Sequence, residues 1–417
     1  MFLLYNFLLL LLLPVVLLIT LRKEGKRERL GIISPLSPES RGVWIHAVSV
    51  GEVVASEPLV SLLKEKHPEI KIYYSTTTPT GRKMAEKILA SKLDYLFYFP
   101  LDYPWIISHV LYLLRPRFIV LMETELWPNL LYYAQLHRIP VFVANGRLSP
   151  QSFKRCRRLQ FLFRPILNKV SLFLLQSEEE KKKFLSLGVS SEKLKVVGNT
   201  KFDRLPQALP SFSKLAREWE RERRNPVWVV GSTHPGEEEA ILYAFQEVRK
   251  FFPSSLLILV PRHPERKREI ENLLQKFKFL YMLRSEMKEG PKDAHVVLVD
   301  TVGELFLLYS LADITFIGGT LVPIGGHNPL EPAVFSKPII FGPHTFNFQD
   351  IFQMMHEEGI GIRVKDGKEL QQILPQLLEK KEELKKMGKK ARTFVENNRG
   401  AAERIIREIE SRVLCVE

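Results

Sequence analysis

The sequence predicts an α/β protein made of two doubly wound, Rossmann-like domains that face each other across a cleft. Three observations predict it. Short apolar runs alternate with capped or amphipathic segments, the pattern of parallel strands covered on both faces by helices. A Pro-containing, charged stretch from Leu205 to Pro226 divides the runs into two series. Turns bearing Gly, His or acids recur at the ends of the runs, where open α/β sheets collect ligands. At 417 residues and 45% hydrophobic, the chain has material for two or three full cores.

Residues 1–21 carry no charged side chain and are dominated by Leu. About 20 apolar residues span a bilayer. Arg22, Lys23, Lys26, Arg27 and Arg29 follow at once. A signal peptide is the competing reading, but the basic cluster follows the apolar run, the preceding end is uncharged, and no small-x-small cleavage site follows. The segment therefore reads as a single uncleaved anchor, kinked or not at Pro14, with in-plane insertion left open. Positive-inside bias places everything after it on the cytoplasmic side. Residues 22–41 form a basic juxtamembrane linker.

The first domain, 42–204, takes its strands from VWIHAV (43–48), KIYYST, RFIVLMETE, VFVANGR, LFLLQS and KVVGN. The turn Ser49-Val50-Gly51-Glu52 leads into a helix from about Glu52 to Glu65, and Pro128 suits the first turn of WPNLLYYAQL. FKRCRRLQFLFRPILNK (153–169) interleaves basic and aromatic residues and is expected to form an amphipathic helix lying on anionic lipid headgroups; simple packing on the sheet is the alternative. Residues 205–225 form the interdomain linker, with Pro206, Pro210 and a solvated helix in REWERERRN. The second domain, 226–390, repeats strand, turn and helix in VWVVGSTHPGEEEAI, LLILVPRHPERKREI, VVLVDTVGELFLLYS, ITFIGG and PIIFGP. Residues 391–417 read as a helical tail.

GGTLVPIGGHNPLE (318–331) is the most telling loop. It follows a buried strand and holds Gly318, Gly319, Gly325 and Gly326; Asn328 suits a helix cap, Pro329 the first turn, and Glu331 the third helical position. Its N–H groups are expected to cradle phosphate and Glu331 to grip ribose hydroxyls. The alternative is a Gly-rich turn without a ligand. Ser232-Thr233-His234, Pro261-Arg262-His263-Pro264 and Thr301-Val302-Gly303-Glu304-Leu305 occupy equivalent strand-to-helix turns. Arg262 suits a phosphate fork. Four such turns in one domain point to a nucleotide site.

In the first domain, Glu52 opens a helix beside a strand end, placed to take a proton from an attacking hydroxyl, or else simply favoured by the helix dipole. Glu123 and Glu125 end a buried strand and share one face of it, so one should meet the cleft or a cation; a structural ion pair with an arginine is the alternative. Lys201, in Gly198–Asp203, is a candidate for an anionic substrate group, with a surface lysine as the default. His46 reads as a core imidazole. The balance of 61 basic to 47 acidic residues, +14, implies an anionic partner. With an anchor present, a membrane surface is favoured over nucleic acid. Cys156 and Cys415 are the two cysteines, so no disulfide framework is expected. GxxxxGK[ST], a zinc-type Cys/His spacing and a DxD pair are absent from the sequence, and no metal or cofactor is expected.

Together HAVSVGE, TTTPTGR, METELWPN, GNTKFD, GSTHPGEE, PRHPER, DTVGELFLLY, FIGGTL, GGHNPLEP and GPHTFNFQD resemble the 3-deoxy-D-manno-octulosonic acid (Kdo) transferases of lipopolysaccharide assembly, over roughly residues 30–400. The resemblance implies the GT-B glycosyltransferase fold, CMP-Kdo as donor and the tetraacylated lipid A precursor as acceptor. It implies Glu52 as general base and Glu123 and Lys201 as transition-state stabilisers. It implies CMP contacts from Arg262, His263, Gly303, Glu304, Leu305, Asn328, Pro329, Leu330 and Glu331. Ser49, Gly51, Glu125, Ser232, Thr233, His234, Gly318 and Gly319 are secondary candidates from their turns. Two rivals remain at this stage: a GT-B transferase using a UDP-sugar, and a non-catalytic membrane-anchored nucleotide-binding scaffold. Oligomeric state and the number of Kdo units added have no sequence signal.

Overall fold

A computed structural model describes residues 2–33, 41–206, 225–287 and 290–413. The expected solvated helix over 217–224, most of the interdomain linker and most of residues 34–41 lie outside the described residues. The chain divides into two compact units, Met1–Arg204 with Asn398–Glu417, and Leu205–Asn397.

The first unit carries a seven-stranded parallel sheet in the order β3-β2-β1-β4-β5-β6-β7. Its strands are β1 Val43–Ala47, β2 Ile72–Thr76, β3 Tyr95–Tyr98, β4 Phe118–Met122, β5 Val141–Gly146, β6 Leu172–Leu175 and β7 Leu194–Val196. Two apolar layers sandwich the sheet. One contains Trp44, Tyr73, Ile119, Leu130 and Phe173. The other contains Ile45, Val53, Leu59, Val120 and Phe142. Residues on alternate positions of β1 and β4 thus serve opposite layers, as a sheet buried on both faces requires. The final helix, Ala401–Val413, was expected in a separate tail, but its Ile405, Ile406 and Ile409 complete the second layer. Asp203 accepts hydrogen bonds from the N–H groups of Gly400 (2.6 Å) and Ala402 (2.7 Å) and so fixes that helix's start.

The second unit also has a seven-stranded parallel sheet, ordered β10-β11-β9-β8-β12-β13-β14. These are β8 Val227–Thr233, β9 Leu256–Pro261, β10 Tyr281–Leu283, β11 Val296–Leu298, β12 Ile314–Ile317, β13 Ile339–Phe341 and β14 Gly361–Arg363. In each sheet the strand order reverses beside the first strand, between β1 and β4 and between β8 and β12. At such a point the following chains leave toward opposite faces and open a crevice at the carboxyl ends. Most of the predicted site residues follow these four strands and β9; Lys201 follows β7, and Gly303, Glu304 and Leu305 follow β11.

The N-terminal helix Phe2–Leu21 exposes Leu3, Leu11 and Leu18, and is long and apolar enough to cross a membrane. The stretch 153–169 is not one helix. Pro150–Arg158 and Gln160–Leu167 meet at Leu159, whose φ of −112° and ψ of 33° end the first. Cys156, Ile166 and Leu167 are buried, while Arg155, Arg157, Arg158 and Phe161 stay exposed.

Candidate active site

In the first unit the chain leaves β1 through Ser49, extended at φ −124°, and enters the helix Val50–Lys66. Glu52 therefore falls in the first turn at the third helical position, because the helix starts two residues before the expected start at Glu52. Its side chain is buried, 7% exposed. Oε2 accepts from the Val48 N–H at 2.8 Å, and Oε1 from the Ser49 hydroxyl at 3.1 Å. Burial, then the charge of Glu123, pushes its pKa up to about 8, with Glu125 adding to the rise against the bonds from Val48 and Ser49. Gly51 lies inside the same turn.

β4 ends at Met122, and Glu123 turns at once into the left-handed region, φ 54°. The expected extended face shared by Glu123 and Glu125 is therefore absent. What brings both near Glu52 is the adjacency of β4 and β1. Glu123 accepts from Arg147 Nε at 2.9 Å. Burial, then Glu123, raises the Glu125 carboxyl to about 7. Three acids thus crowd the switch point of one sheet, one of them paired with an arginine. Arg147 was missed by sequence reasoning, although a basic residue closing the apolar run VFVANGR was a usable signal. Lys201 sits on a short 3₁₀ turn, Thr200–Arg204, whose N–H groups at Thr200 and Lys201 donate to Asn145 Oδ1 and Asn199 Oδ1. His46 is a core imidazole, as expected: burial lowers its pKa to about 3, and it packs on Phe99 with Nδ1 2.9 Å from Ser75 Oγ.

In the second unit, three histidines from three motifs converge. His234 follows β8, His263 follows β9, and His327 lies in the Gly-rich loop. The His234 and His327 rings are parallel, 5.1 Å apart, with Nε2 to Nε2 at 2.8 Å; the His263 ring is 5.8 Å from that of His234. Burial, then His234 and Arg262, lowers the His327 pKa to about 4, so this pair is uncharged at neutral pH. Glu304 accepts from Arg284 at 2.8 Å and from Thr301. Gly303, at φ 93°, faces open space. Leu305 begins a short helix, Leu305–Leu308.

The Gly-rich loop differs from expectation. Its N–H groups are spent on the protein itself. Gly318 donates to the Gly231 carbonyl, Gly325 and Gly326 to that of Gly319, and His327 to that of Gly318. Gly319, Thr320 and Leu321 donate to the carboxylate of Glu237. No phosphate cradle of main-chain N–H groups is left along Gly318–Leu321. Asn328 stands one residue before the cap position, which Pro329 takes, so Glu331 is the second helical residue and not the third; the Asn328 side chain accepts from the Leu330 N–H at 3.1 Å and donates to Glu331 at 3.2 Å. The helix after Pro329 is brief, Leu330–Val334. Among the described residues, no group of three or more His, Cys, Asp or Glu is arranged to hold a metal ion.

Residues 24–204 match the family model described as 3-deoxy-D-manno-octulosonic-acid transferase. The chain is 38% identical over 390 residues to the 3-deoxy-D-manno-octulosonic acid transferase of Haemophilus influenzae, covering 92% of this chain and 90% of that one. It is 32% identical over 397 residues to the enzyme of the same name from Chlamydophila psittaci, covering 93% and 89%. Among solved structures, UDP-GlcNAc 2-epimerase of Neisseria meningitidis aligns over 89% of this chain and 100% of its own with a TM-score of 0.56; at 17% identity this reflects a shared fold of two Rossmann-like halves. Identity that runs across both units and nearly the full length of its relatives makes this chain a member of the Kdo transferase family, the glycosyltransferases that add 3-deoxy-D-manno-octulosonic acid in lipopolysaccharide biosynthesis.

Proposed function

We propose that the protein transfers Kdo, with inversion, from CMP-Kdo to the lipid A precursor lipid IVA, with Glu52 as general base and without a metal ion. The observation that carries this reading is the state of Glu52: a buried carboxyl at a strand end, crowded by two other acids and made basic enough to hold a proton near neutral pH. A base is most effective when its pKa lies near the working pH. In the reaction, the acceptor hydroxyl oxygen bonds to the anomeric carbon of Kdo as that carbon's bond to the CMP phosphate breaks. Glu52 takes the hydroxyl proton, and CMP leaves with the bonding pair. One base and a single displacement invert the centre.

Glu123, held by Arg147, and Lys201 are assigned to stabilising the charge that develops on the sugar and its leaving group. The donor's CMP falls to Arg262 and His263, Gly303 to Leu305, and Asn328 to Glu331. With the loop N–H groups engaged elsewhere, the Arg262 guanidinium is the main cation offered to the phosphate. The helix Phe2–Leu21 keeps the enzyme at the cytoplasmic face of the inner membrane, where a lipid acceptor resides, and the net charge of +14 suits an acceptor bearing two phosphates.

The test is transfer of labelled Kdo from CMP-Kdo to lipid IVA, with products weighed by mass spectrometry. Glu52→Gln should lower the rate about 10²–10⁴-fold while CMP still binds. Undiminished transfer removes Glu52 as base, and no transfer by the unaltered protein favours a scaffold. CMP should protect against thermal unfolding more than UDP, the reverse pointing to a UDP-sugar donor. Excess chelator should leave the rate unchanged; loss restored by a divalent ion overturns the metal-free part.

A further inference from the structure

Glu237 is fully buried and, although it lies in GSTHPGEE, has been given no role in the donor site so far. It stands at the start of the helix Glu238–Phe251, three residues beyond His234. Both of its oxygens are used twice. Oε2 accepts from the His234 N–H (3.0 Å) and the Gly319 N–H (2.7 Å). Oε1 accepts from the N–H groups of Thr320 (3.1 Å) and Leu321 (2.9 Å). In return its own N–H donates to the His234 carbonyl at 3.1 Å. The first exchange is a local cap of the helix start. The other three bonds reach more than eighty residues along the chain, to the turn after β12.

β8 and β12 are neighbours at the switch point of this sheet, and the two turns that Glu237 joins are the ones that leave them. The turns are already close: a Cβ on Gly318 would lie 2.2 Å from the Ser232 carbonyl oxygen. The bonds of Glu237 then orient the loop that ends in His327, whose ring meets that of His234, the residue the same carboxylate holds by its N–H. Burial raises the pKa of this carboxyl, and the N–H bonds from Gly319, Leu321 and His234 oppose that rise by favouring the anion; its oxygens sit where an open nest of N–H groups takes a phosphate.

We propose that Glu237 is a positioning residue of the donor site: it occupies the N–H nest of the Gly318–Leu321 turn as an internal anion, so that the loop and the His234–His327 pair are set before nucleotide arrives. The donor's phosphate is then recognised by side chains rather than by this turn. The inference rests on the reading of this unit as the CMP-Kdo site. Glutamine at 237 keeps one oxygen acceptor but turns an NH₂ donor toward two N–H donors, so it cannot hold both turns.

Two measurements test this on the full chain. Hydrogen exchange of the unaltered protein should find the amides of Gly319, Thr320 and Leu321 protected without nucleotide and unchanged when CMP is added. Slow exchange appearing in them only with CMP would mean that they bind the ligand, and overturns the proposal while leaving the donor reading intact. Glu237→Gln should raise the KM for CMP-Kdo and the Kd for CMP tenfold or more, with the KM for the lipid acceptor unchanged and kcat reduced less than kcat/KM. A folded Glu237→Gln protein that binds CMP within twofold of normal also overturns it. If that variant does not fold, the exchange experiment alone decides. Failure of the unaltered chain to bind CMP at all removes both this inference and the donor reading.

Discussion

Glu52 links the local chemistry to a pH dependence with a definite sign. Its pKa in the folded protein, about 8, lies above the ordinary carboxyl value of 4.5. Folding therefore favours the acid form. The stability this contributes is fully present below about pH 4.5 and is lost as pH rises through about 8. Activity runs the other way, since the base must be ionised to accept a proton. The rate should climb with pH and level off above about 8, whereas any residual rate of Glu52→Gln should lack that rise. The same variant, permanently uncharged, should unfold at a higher temperature than the unaltered protein, by a margin that is small at pH 5 and grows to a few kcal/mol, on the order of 1 per pH unit, by pH 8. A margin that shrinks with pH, or a rate that falls from pH 6 to 8, contradicts the buried, crowded carboxyl described here. Of this residue-scale picture, Glu52 itself was legible, because an acid directly after a short apolar strand and a glycine marks a strand-to-helix turn. Glu237 was not. GSTHPGEEEA offers three consecutive acids at a helix start, and nothing local distinguishes the one that turns inward to a loop eighty residues away.

Among the elements, the central strands were readable because both of their faces are buried and their sequences are continuous apolar runs. The three strands not expected, β3, β10 and β14, are all at sheet edges. Each is short and only partly covered: YLFY and YML are apolar but too brief to show a strand period, and GIR has neither an apolar run nor an alternation. The helix of 153–169 was read too long because its basic and aromatic residues suit one helix, while the backbone breaks at the exposed Leu159, where no sequence signal marks an end. The loop after β12 was recognised as special for its glycines, but for the wrong cause. Gly318 is required by the approach of the Ser232 backbone. Gly318→Ala should therefore destabilise the protein by roughly 1–3 kcal/mol, the usual cost of overpacking, and weaken CMP binding as the two turns are forced apart. Gly359 is a suitable contrast. It has φ 67° with open space around a Cβ, so Gly359→Ala should cost about 1–2 kcal/mol of backbone strain and leave CMP binding intact. Equal effects on binding from both substitutions would show that general destabilisation, not the contact with Ser232, is responsible.

For the whole molecule, the open question is how the N-terminal helix relates to the rest of the chain. It does not merely precede the first unit. Its Tyr5 hydroxyl donates to Asp102 at 3.0 Å, Asn6 accepts from the Asn129 amide at 2.8 Å, and the Leu9 carbonyl accepts from the Tyr103 hydroxyl at 2.9 Å. Phe2 stacks on Tyr132 at 4.0 Å. Asp102 in turn accepts from the N–H groups of Asn129 and Leu130, at 3.0 and 2.9 Å, and so caps the helix Pro128–Leu136 that follows β4 and its two acids. The polar residues Tyr5 and Asn6 explain why so apolar a helix contains them at all. Removing residues 2–21 should then do two separable things. It should cost the first unit roughly 1–3 kcal/mol, because buried partners at Asp102 and Asn129 lose their hydrogen bonds, which thermal unfolding in detergent can measure. It should also convert membrane binding from salt-resistant to salt-sensitive. The full chain should stay with anionic vesicles in 1 M salt, where the screening length is about 3 Å. The shortened chain should bind them only at low salt, through exposed cations such as Arg155, Arg157 and Arg158 beside Phe161. Salt-resistant binding by the shortened chain would place the main membrane contact elsewhere in the first unit. Unchanged stability would reduce the helix to a tether.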